Sequence, residues 1–280
     1  NTKSLSLEGL FAFYGYCIIR IIIITSFAYI LTNTFLGCAV RIILCGANGR
    51  MGKELTREIE KCSDMEIVAG VDKNTDMIGF PCYSDVAEVN EQADIIVDFS
   101  HHSATASLVD GALGRGIPIV IATTGQTEEE KEYVKRAAEH IPVFFCGNMS
   151  LGVTLFVSLV GKVAEIFPYA DVEIVETHHS GKADVPSGTA LMIAESVLNS
   201  RKGVGRIVVG RQGGMRQKGD IGISSLRIGG VVGIHEVRIS TGFQSITLRH
   251  EAHSRALFVT GAMHAIRFIS DKQKGLYSVR

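Results

Sequence analysis

The feature that most constrains the fold is a glycine-rich turn that joins a short apolar segment to an amphipathic one. The apolar run Arg41-Ile-Ile-Leu-Cys45 predicts a buried parallel strand, and residues 51–62 carry apolar side chains at helical spacing. Between them lies Gly46-Ala-Asn-Gly-Arg-Met-Gly52. We interpret this turn as a variant of the dinucleotide-binding fingerprint, with Asn48 where the middle glycine usually lies.

Each glycine of this turn has a physical role in that interpretation. Gly46 permits the tight turn, Gly49 lets the backbone approach a pyrophosphate, and Gly52 lets helix and strand pack closely. The free N–H groups and the dipole of the helix N-terminus favour an anion there. An acid at the end of the second predicted strand, Asp72, favours this interpretation over the alternative of a plain tight turn.

The residues around Asp72 bear on the choice of cofactor. An acid accepts hydrogen bonds from ribose hydroxyls and favours NAD, whereas a cation such as the adjacent Lys73 favours the extra phosphate of NADP. Arg50, within the fingerprint, adds a second positive charge. We therefore predict that both NADH and NADPH are used.

Strand and helix patterns alternate from residue 41 to residue 146. The predicted strands are 41–45, 66–71, 94–99, 118–122 and 143–146, and the predicted helices are 51–62, 103–114 and 128–140. This alternation predicts an α/β fold with a Rossmann-like, doubly wound parallel sheet. The loops Ala122-Thr-Thr-Gly125 and Cys146-Gly-Asn-Met-Ser150 follow its last two strands and are candidates to hold a nicotinamide, although ordinary polar loops would have the same spacing.

The pattern changes after Asn148. Helix patterns at 153–167, 189–199 and 256–269 are interspersed with strand patterns at 172–176, 207–210, 221–228, 235–239 and 244–249. We predict a smaller α+β domain with a separate, open mixed sheet. Residues 203–219 are rich in Gly, Arg and Lys and predict a mobile loop.

The stretch Glu173–Ala190 concentrates groups suited to acid–base chemistry and anion binding. His178 and His179 are adjacent at the end of a predicted strand, so their side chains diverge. Lys182 adds a cation, and Ser187-Gly-Thr189 opens a helix whose N–H groups and hydroxyls suit a carboxylate. A lone histidine is more often structural, but a histidine in such a cluster can give or take a proton at neutral pH. The cluster predicts a site for a small dianionic substrate.

Composition argues against several other classes of function. Lys and Arg (28) nearly balance Asp and Glu (29), and no basic stretch stands out, so nothing indicates nucleic-acid binding. The six cysteines form no Cys-x-x-Cys pair and no Cys/His set with zinc spacing, so we predict no metal site. Free thiols in a reducing compartment are the simplest interpretation, and they predict a cytoplasmic protein.

Residues 1–39 belong to neither predicted domain. From Leu10 to Leu31 they are almost wholly apolar, with Arg20 as the one charge. By length this segment could cross a bilayer, or it could be signal-like. We favour a third interpretation, that it is not native sequence, because nucleotide-binding folds commonly start within a few residues of the chain start and this chain has no initiating Met. We hypothesise a true start near Val40, at a non-AUG codon, which mass spectrometry of the native N-terminus would test.

These motifs together resemble those of one enzyme family. The resemblance runs from Arg41 almost to Arg280 and includes, besides the fingerprint and the histidine segment, Val97-Asp-Phe-Ser100, Thr123-Thr-Gly125, Asn148-Met-Ser-Leu-Gly152, Arg227-Ile-Gly-Gly230, Gly233-Ile-His235 and Ser254-Arg255. The chain is similar to the 4-hydroxy-tetrahydrodipicolinate reductases, formerly called dihydrodipicolinate reductases. Ala122 and Val185 depart from the family's usual glycine and alanine, changes expected to alter affinity more than activity.

The resemblance implies an NAD(P)H-dependent reduction, with loss of water, in the diaminopimelate route to lysine. It implies that His178 is the proton donor and acceptor, that Lys182 is a further proton donor or carboxylate partner, and that His179, Gly188 and Thr189 bind the dicarboxylate substrate. With Ser187, whose hydroxyl suits a carboxylate, the substrate-binding residues that we predict are His179, Ser187, Gly188 and Thr189. The cofactor-binding residues that we predict are Gly46, Ala47, Asn48, Gly49, Arg50, Met51, Asp72, Lys73, Ala122, Thr123, Thr124, Cys146, Gly147, Asn148, Met149 and Arg255.

The resemblance also implies an organisation of domains and subunits. Residues 40–149, completed by 255–280, form the dinucleotide-binding domain, and residues 150–254 form the substrate-binding domain, through whose sheets a homotetramer assembles. Three alternatives stay open: another NAD(P)-dependent dehydrogenase, a catalytically silent NADP-sensing protein, and a membrane-tethered protein that uses residues 1–39. The His-His-x-x-Lys-x-Asp-x-Pro-Ser-Gly-Thr run argues against the first, and the presence of both His178 and Lys182 argues against the second.

Overall fold

A computed structural model describes residues 39–76 and 79–279, and the chain from Val40 onward forms one compact unit. The predictions for the apolar N-terminal segment lie outside the described residues. Within the described ranges, no helix is both long and apolar enough to cross a membrane. The unit contains two sheets, one of seven strands and one of five.

The larger sheet is parallel throughout and carries the glycine-rich turn at its centre. Its first six strands are β1 (Val40–Cys45), β2 (Met65–Val71), β3 (Cys82–Tyr83), β4 (Ile95–Asp98), β5 (Ile119–Ile121) and β6 (Pro142–Phe145). The chain builds outward from β1 to β3 on one side, then returns to lay β4, β5 and β6 on the other. The order of the strands therefore reverses between β1 and β4. Ligands of such sheets bind at the carboxyl ends of the strands that flank this reversal.

Helices cover both faces of this sheet, as a doubly wound fold requires. They are α1 (Arg50–Ile59), α2 (Thr105–Arg115), α3 (Glu128–Ala137) and, from the far end of the chain, Ala256–Ile269. The first and last of these pack together on one face, and α2 and α3 pack on the other. Burial on both faces explains the continuous apolar run Ile42-Ile-Leu44, in which each side chain is fully buried.

The smaller sheet is mixed. Its strands are β7 (Asp171–His178), β8 (Arg206–Val209), β9 (Asp220–Arg227), β10 (Gly233–Ser240) and β11 (Ser245–Ala252), in the order β11-β10-β7-β9-β8. Two helices, α4 (Leu151–Ile166) and α5 (Gly188–Ser200), share one apolar core with β7, β9 and β10. The fold class is confirmed in both parts: a Rossmann-like parallel sheet and a second, mixed sheet.

Two short strands were not predicted. Cys82–Tyr83 adds β3 at one edge of the parallel sheet, and β12 (Gly275–Tyr277) pairs with β6 at the other edge. Strands of two or three residues are too short to show a period. The helix before β12, α6 (Ala256–Ile269), brings the end of the chain back to the first sheet. The predicted boundaries between domains stay predictions.

The segment predicted as a mobile loop, residues 203–219, is partly ordered by pairing. Its first part forms β8. Farther along, Arg211 contacts Asp220 at 2.8 Å, and Arg216 contacts Asp171 at 2.9 Å and also pairs with Glu173. The Asp220 side chain is buried, and the free-energy cost of burying its charge is offset by hydrogen bonds from Arg206 and Arg211. These hydrogen bonds lower the pKa of the carboxyl. The cations of this segment therefore tie it to the edge of the mixed sheet.

Candidate active site

The glycine-rich turn has the geometry expected of a dinucleotide-binding loop. Gly46 has a φ of +76°, a conformation that side chains disfavour, and the N–H of Gly49 donates to its carbonyl at 3.0 Å. A Cβ on Gly52 would lie 2.2 Å from the Gly46 oxygen. The turn and the close packing of helix on strand thus both require glycine, as predicted.

The start of α1 offers unpaired backbone donors next to this turn. Gly49 is the N-cap residue, and because glycine has no side chain, no side-chain oxygen caps the helix. Within the described ranges, the N–H groups of Arg50 and Met51 have no acceptor, as is usual for the first turn of a helix. These donors, with the helix dipole, favour an anion at this position.

Asp72 and Asn48 brace the loop. The Asp72 carboxylate accepts hydrogen bonds from the backbone N–H of Asn48 at 2.9 Å and of Asn74 at 3.1 Å. The Asn48 amide donates to the carbonyls of Asn74 and Asp76. The predicted acid therefore shapes the loop through both oxygens, each of which retains a further lone pair for a ligand hydroxyl.

Adjoining cavities run along the carboxyl edge of the parallel sheet. A cavity of about 410 Å³ is lined by Gly46, Gly49, Asp72 and Lys73, together with Phe99 and Ser100 from the end of β4. A second, of about 350 Å³, is lined by Arg50, Met51, Ala122, Thr124, Gly147, Met149 and Arg255, again with Phe99. Most of the predicted cofactor residues therefore meet at the reversal between β1 and β4.

A third cavity, of about 520 Å³, adjoins these and reaches the mixed sheet. It is lined by all six predicted catalytic and substrate-binding residues, His178, His179, Lys182, Ser187, Gly188 and Thr189, and also by Thr124, Gly147, Asn148 and Arg255. Thr124, Gly147 and Arg255 line both this cavity and the second one. The residues that sequence reasoning assigned to substrate and to cofactor thus share one cleft.

His178 ends β7 and is held by a buried carboxylate on the same strand. Glu176 lies two residues earlier, so both side chains point to the same face, and its Oε2 contacts His178 Nδ1. Arg227, at the end of the adjacent β9, donates to both Glu176 oxygens at 2.9 and 3.0 Å. Burial disfavours the charged form of the fully buried Glu176, but hydrogen bonds from Arg227 and His178 outweigh burial and lower its pKa to about 2.

The imidazole of His178 is nearly buried, and burial lowers its pKa although the Glu176 carboxylate acts in the opposite direction. The neutral ring is therefore favoured at neutral pH. Because a carboxylate can only accept, Nδ1 carries the proton and Nε2 is left with its lone pair. A Cβ on Gly233 would lie only 3.2 Å from Nε2, so the close approach of the Gly233 backbone to this ring favours glycine.

A second buried histidine, His235, lies against the first, with ring centroids 5.2 Å apart. Burial lowers its pKa to about 4, and the nearby His178 adds to this effect. Its Nε2 lies 3.1 Å from the hydroxyl of Ser187. That hydroxyl also accepts the N–H of Ala190 as the N-cap of α5. Ser187 is itself buried, so its hydroxyl is already occupied within the protein.

The start of α5 faces the cavity with other groups. Within the described ranges, the N–H groups of Gly188 and Thr189 have no acceptor. The Thr189 hydroxyl accepts a 3.1 Å hydrogen bond from the amide of Asn148. Lys182 contributes an ammonium group that lies 2.8 Å from the half-exposed Asp184. Two backbone donors, a hydroxyl and a cation therefore converge on the cavity.

Some predicted residues line none of the three cavities described above. Ala47, Asn48, Thr123 and Cys146 are absent from the linings, because Ala47 and Thr123 are buried and Asn48 is engaged with the loop after β2. Sequence reasoning gave no role to Glu176, Arg227, His235, Phe99 or Phe258. Glu176 was within reach of prediction, because a residue two positions before His178 on a strand shares its face.

Comparison with known proteins finds matches to both parts of the chain. Residues 40–149 match the family model "Dihydrodipicolinate reductase, N-terminus", and residues 152–280 match "Dihydrodipicolinate reductase, C-terminus". A 4-hydroxy-tetrahydrodipicolinate reductase of Caldanaerobacter subterraneus subsp. tengcongensis is 44% identical over 242 residues, which cover 86% of this chain and 96% of that protein. A protein of the same name from Clostridium tetani is 36% identical over 243 residues, covering 86% of this chain and 95% of that protein.

Solved structures resemble the fold. A dipicolinate-bound dihydrodipicolinate reductase from Paenisporosarcina sp. TG-14 superposes with a TM-score of 0.73 at 24% identity, covering 86% of this chain and 97% of that one. GenD2 from gentamicin A biosynthesis, in complex with NAD, gives a TM-score of 0.56 at 11% identity, covering 85% of this chain and 87% of that one. At these identities the likeness concerns the fold.

Proposed function

The chain belongs to the dihydrodipicolinate reductase family, and we infer that it is an oxidoreductase that reduces 4-hydroxy-tetrahydrodipicolinate to tetrahydrodipicolinate in the diaminopimelate route to lysine. The balanced reaction consumes one reduced nicotinamide cofactor and one proton, and releases the oxidised cofactor and one water. One observation carries this assignment. A single cavity joins His178, Lys182 and the start of α5 to Thr124 and Gly147 at the edge of the parallel sheet.

The residues of the first two cavities fit a nicotinamide dinucleotide. Gly46 and Gly52 leave no space for a side chain, and the unpaired N–H groups at the start of α1 provide a cradle for a pyrophosphate. Asp72 retains lone pairs for ribose hydroxyls, and the adjacent exposed Lys73 suits an additional phosphate. The cofactor supplies a hydride when it is bound. We propose use of both NADH and NADPH.

The third cavity fits a dicarboxylate. The N–H groups of Gly188 and Thr189 lie at the positive end of the α5 dipole and suit one carboxylate. Lys182 adds a positive charge, and His179 and Arg255 line the same space. The hydroxyl of Thr189 keeps its own proton available as a donor, because its oxygen accepts the bond from Asn148.

We propose that His178 accepts and donates the proton of the reaction. In the free enzyme the neutral ring keeps a lone pair on Nε2, and His178 lines the third cavity. A dianionic substrate raises the pKa of a neighbouring imidazole, because opposite charge favours the protonated form. Nε2 can therefore take up a proton and donate it as the substrate is reduced. Lys182 stabilises negative charge that develops on the substrate, since a fixed cation in a secluded site does so without reorganisation.

A coupled assay tests the proposal. The product of dihydrodipicolinate synthase is supplied to the full chain, and oxidation of NADH and of NADPH is followed by absorbance. We expect oxidation that depends on this product and that is inhibited by dipicolinate, a planar dicarboxylate. Absence of product-dependent oxidation with either cofactor would refute the function. The homotetramer and the cytoplasmic location remain predictions, which native mass and cell fractionation would test.

A further inference from the structure

We propose that Glu176 and Arg227 are positioning residues for this reaction: as one hydrogen-bonded unit, they fix the proton of His178 on Nδ1 and hold the Lys182 segment beside it. This inference rests on the proposed function, because it concerns the two residues to which that function assigns the chemistry.

The unit is built by the pairing of neighbouring strands. β7 and β9 are parallel, and their register places His178 beside Arg227. The guanidinium therefore reaches Glu176 with two parallel hydrogen bonds, one to each oxygen, the strongest arrangement for such a pair. The Glu176 side chain is fully buried and that of Arg227 is 16% exposed, so the pair is confined to this geometry.

The carboxylate selects one tautomer of His178. An imidazole alone can carry its proton on either nitrogen, but Glu176 offers Nδ1 only acceptor atoms. The proton therefore stays on Nδ1, and Nε2 of this cavity-lining residue keeps its lone pair. A second oxygen of the same carboxylate accepts the N–H of Ser187 at 3.2 Å. The start of α5, which we propose to bind the substrate, is thus tied to the group that orients the imidazole.

Arg227 extends the same unit to Lys182. Its Nε donates to the Lys182 carbonyl at 3.3 Å and its Nη2 donates to the Asp184 carbonyl at 2.6 Å. Lys182 and Asp184 form an ion pair through their side chains, so the backbone that carries both is held by one guanidinium. A lysine at position 227 could not make these contacts together, because it lacks the planar fork.

Stability alone gives little reason for such a pair. A buried ion pair gains little over well-packed apolar residues of similar size, because the desolvation of both charges offsets their attraction. Arg267 and Asp64 form a comparable bidentate contact at 2.7 and 3.2 Å, but it is about one-third exposed and lies at none of the three cavities. Their pair is therefore a matched control for a purely structural bridge.

Several charged or titratable groups surround the His178 ring. Glu176 lies on its own strand, Arg227 on β9, His235 on β10 and Lys182 in the following loop. Of these four groups, Glu176 alone favours the protonated ring, while Lys182, Arg227 and a charged His235 would oppose it. Replacing the carboxylate with an amide is therefore expected to shift the titration of His178 to lower pH. The proton of the neutral ring would then no longer be confined to Nδ1.

The test is NMR of ring-labelled histidine in the protein without substrate, combined with kinetics. In the wild-type protein we expect neutral His178 to carry its proton on Nδ1. In Glu176→Gln, the amide can donate to Nδ1, so we expect the Nδ1 preference to be lost and kcat to fall about 100-fold or more, with cofactor affinity unchanged. Asp64→Asn should lower the melting temperature without altering the tautomer or the pH profile of kcat.

Two results would overturn the proposal. One is a wild-type ring protonated on Nε2, and the other is a folded Glu176→Gln protein with the wild-type tautomer and pH profile. If Glu176→Gln does not fold, the Arg227→Lys variant tests the same role. We expect its kcat/KM to fall about tenfold or more. Wild-type values of kcat and KM in this variant would refute the role. A wild-type protein that does not reduce the substrate would refute the proposed function instead, because the NMR measurement needs no turnover.

Discussion

The amide of Asn148 donates a 3.1 Å hydrogen bond to the hydroxyl of Thr189, which is 41 residues away in the chain. Asn148 follows the last strand of the first predicted strand–helix series, and Thr189 lies in the first turn of α5. The other side of the Asn148 amide, Oδ1, accepts the N–H of Ser150. One side chain therefore joins the edge of the parallel sheet to the helix whose start lines the third cavity, and it leaves the Thr189 hydroxyl free to act as a donor.

Replacing Thr189 with valine tests this relationship, because valine keeps the shape and removes the hydroxyl. We expect KM for the substrate to rise about tenfold or more, as for the loss of a hydrogen bond to a charged group, with cofactor affinity unchanged. Steady-state kinetics and cofactor titration measure both. Thr189→Ser keeps the hydroxyl and should stay near the wild type. An unchanged KM in Thr189→Val would argue against contact with the substrate.

Replacing His178 with alanine should remove the proposed proton donor and leave the first two cavities intact. We expect kcat to fall about 100-fold or more and NADH affinity to change less than twofold. His140 is exposed at the amino end of β6, on the opposite edge of the sheet, and His140→Ala is a suitable control. Wild-type turnover in His178→Ala would rule out the role.

Lys73 should contribute to NADPH use more than to NADH use. It is exposed beside the braced carboxylate of Asp72, where only the extra phosphate of NADPH would need a cation. Lys73→Ala is expected to lower kcat/KM for NADPH about tenfold and to leave that for NADH nearly unchanged. Equal losses with both cofactors would place the phosphate elsewhere. In the wild type, a preference above about a thousandfold for either cofactor would contradict dual use.

Gly52 and Gly114 are both helical glycines in contrasting surroundings. A Cβ at Gly52 would lie 2.2 Å from a backbone oxygen, whereas one at Gly114 would meet nothing within 4 Å. Gly52→Ala should therefore lower the free energy of unfolding by about 3 kcal/mol or more and weaken cofactor binding. Gly114→Ala should raise it by about 0.5–1 kcal/mol. Denaturant unfolding of both variants tests the contrast, and equal stability would contradict the packing described for Gly52.

The sequence predicted the fold class and most residues of the cleft because these depend on local patterns. The spacing of Gly46 and Gly52 between an apolar and an amphipathic segment predicts a strand–turn–helix unit. The Ser-Gly-Thr sequence after His178 and His179 likewise predicts the start of a helix. The strands β3 and β12 were missed because two or three residues carry no period. They form only where the edge of an existing sheet offers partners, as Pro142 does for Gly275.

The interactions that organise the site depend on long-range pairing. Arg227 reaches Glu176 across 51 residues, and His235 reaches Ser187 across 48. No spacing rule relates such positions, since the first contact arises from the register of β7 with β9, and the second joins β10 to the N-cap of α5. Sequence reasoning assigned Ser187 to the substrate, whereas in the folded chain its hydroxyl caps α5 and meets His235.

The most direct test of the account follows the hydride itself. The full chain is incubated with the product of dihydrodipicolinate synthase and with NADH or NADPH carrying deuterium at both C4 positions, and the product is examined by mass spectrometry. We predict tetrahydrodipicolinate that carries one deuterium per molecule and forms in step with cofactor oxidation. Tetrahydrodipicolinate without deuterium, or no conversion with either cofactor, would contradict the account.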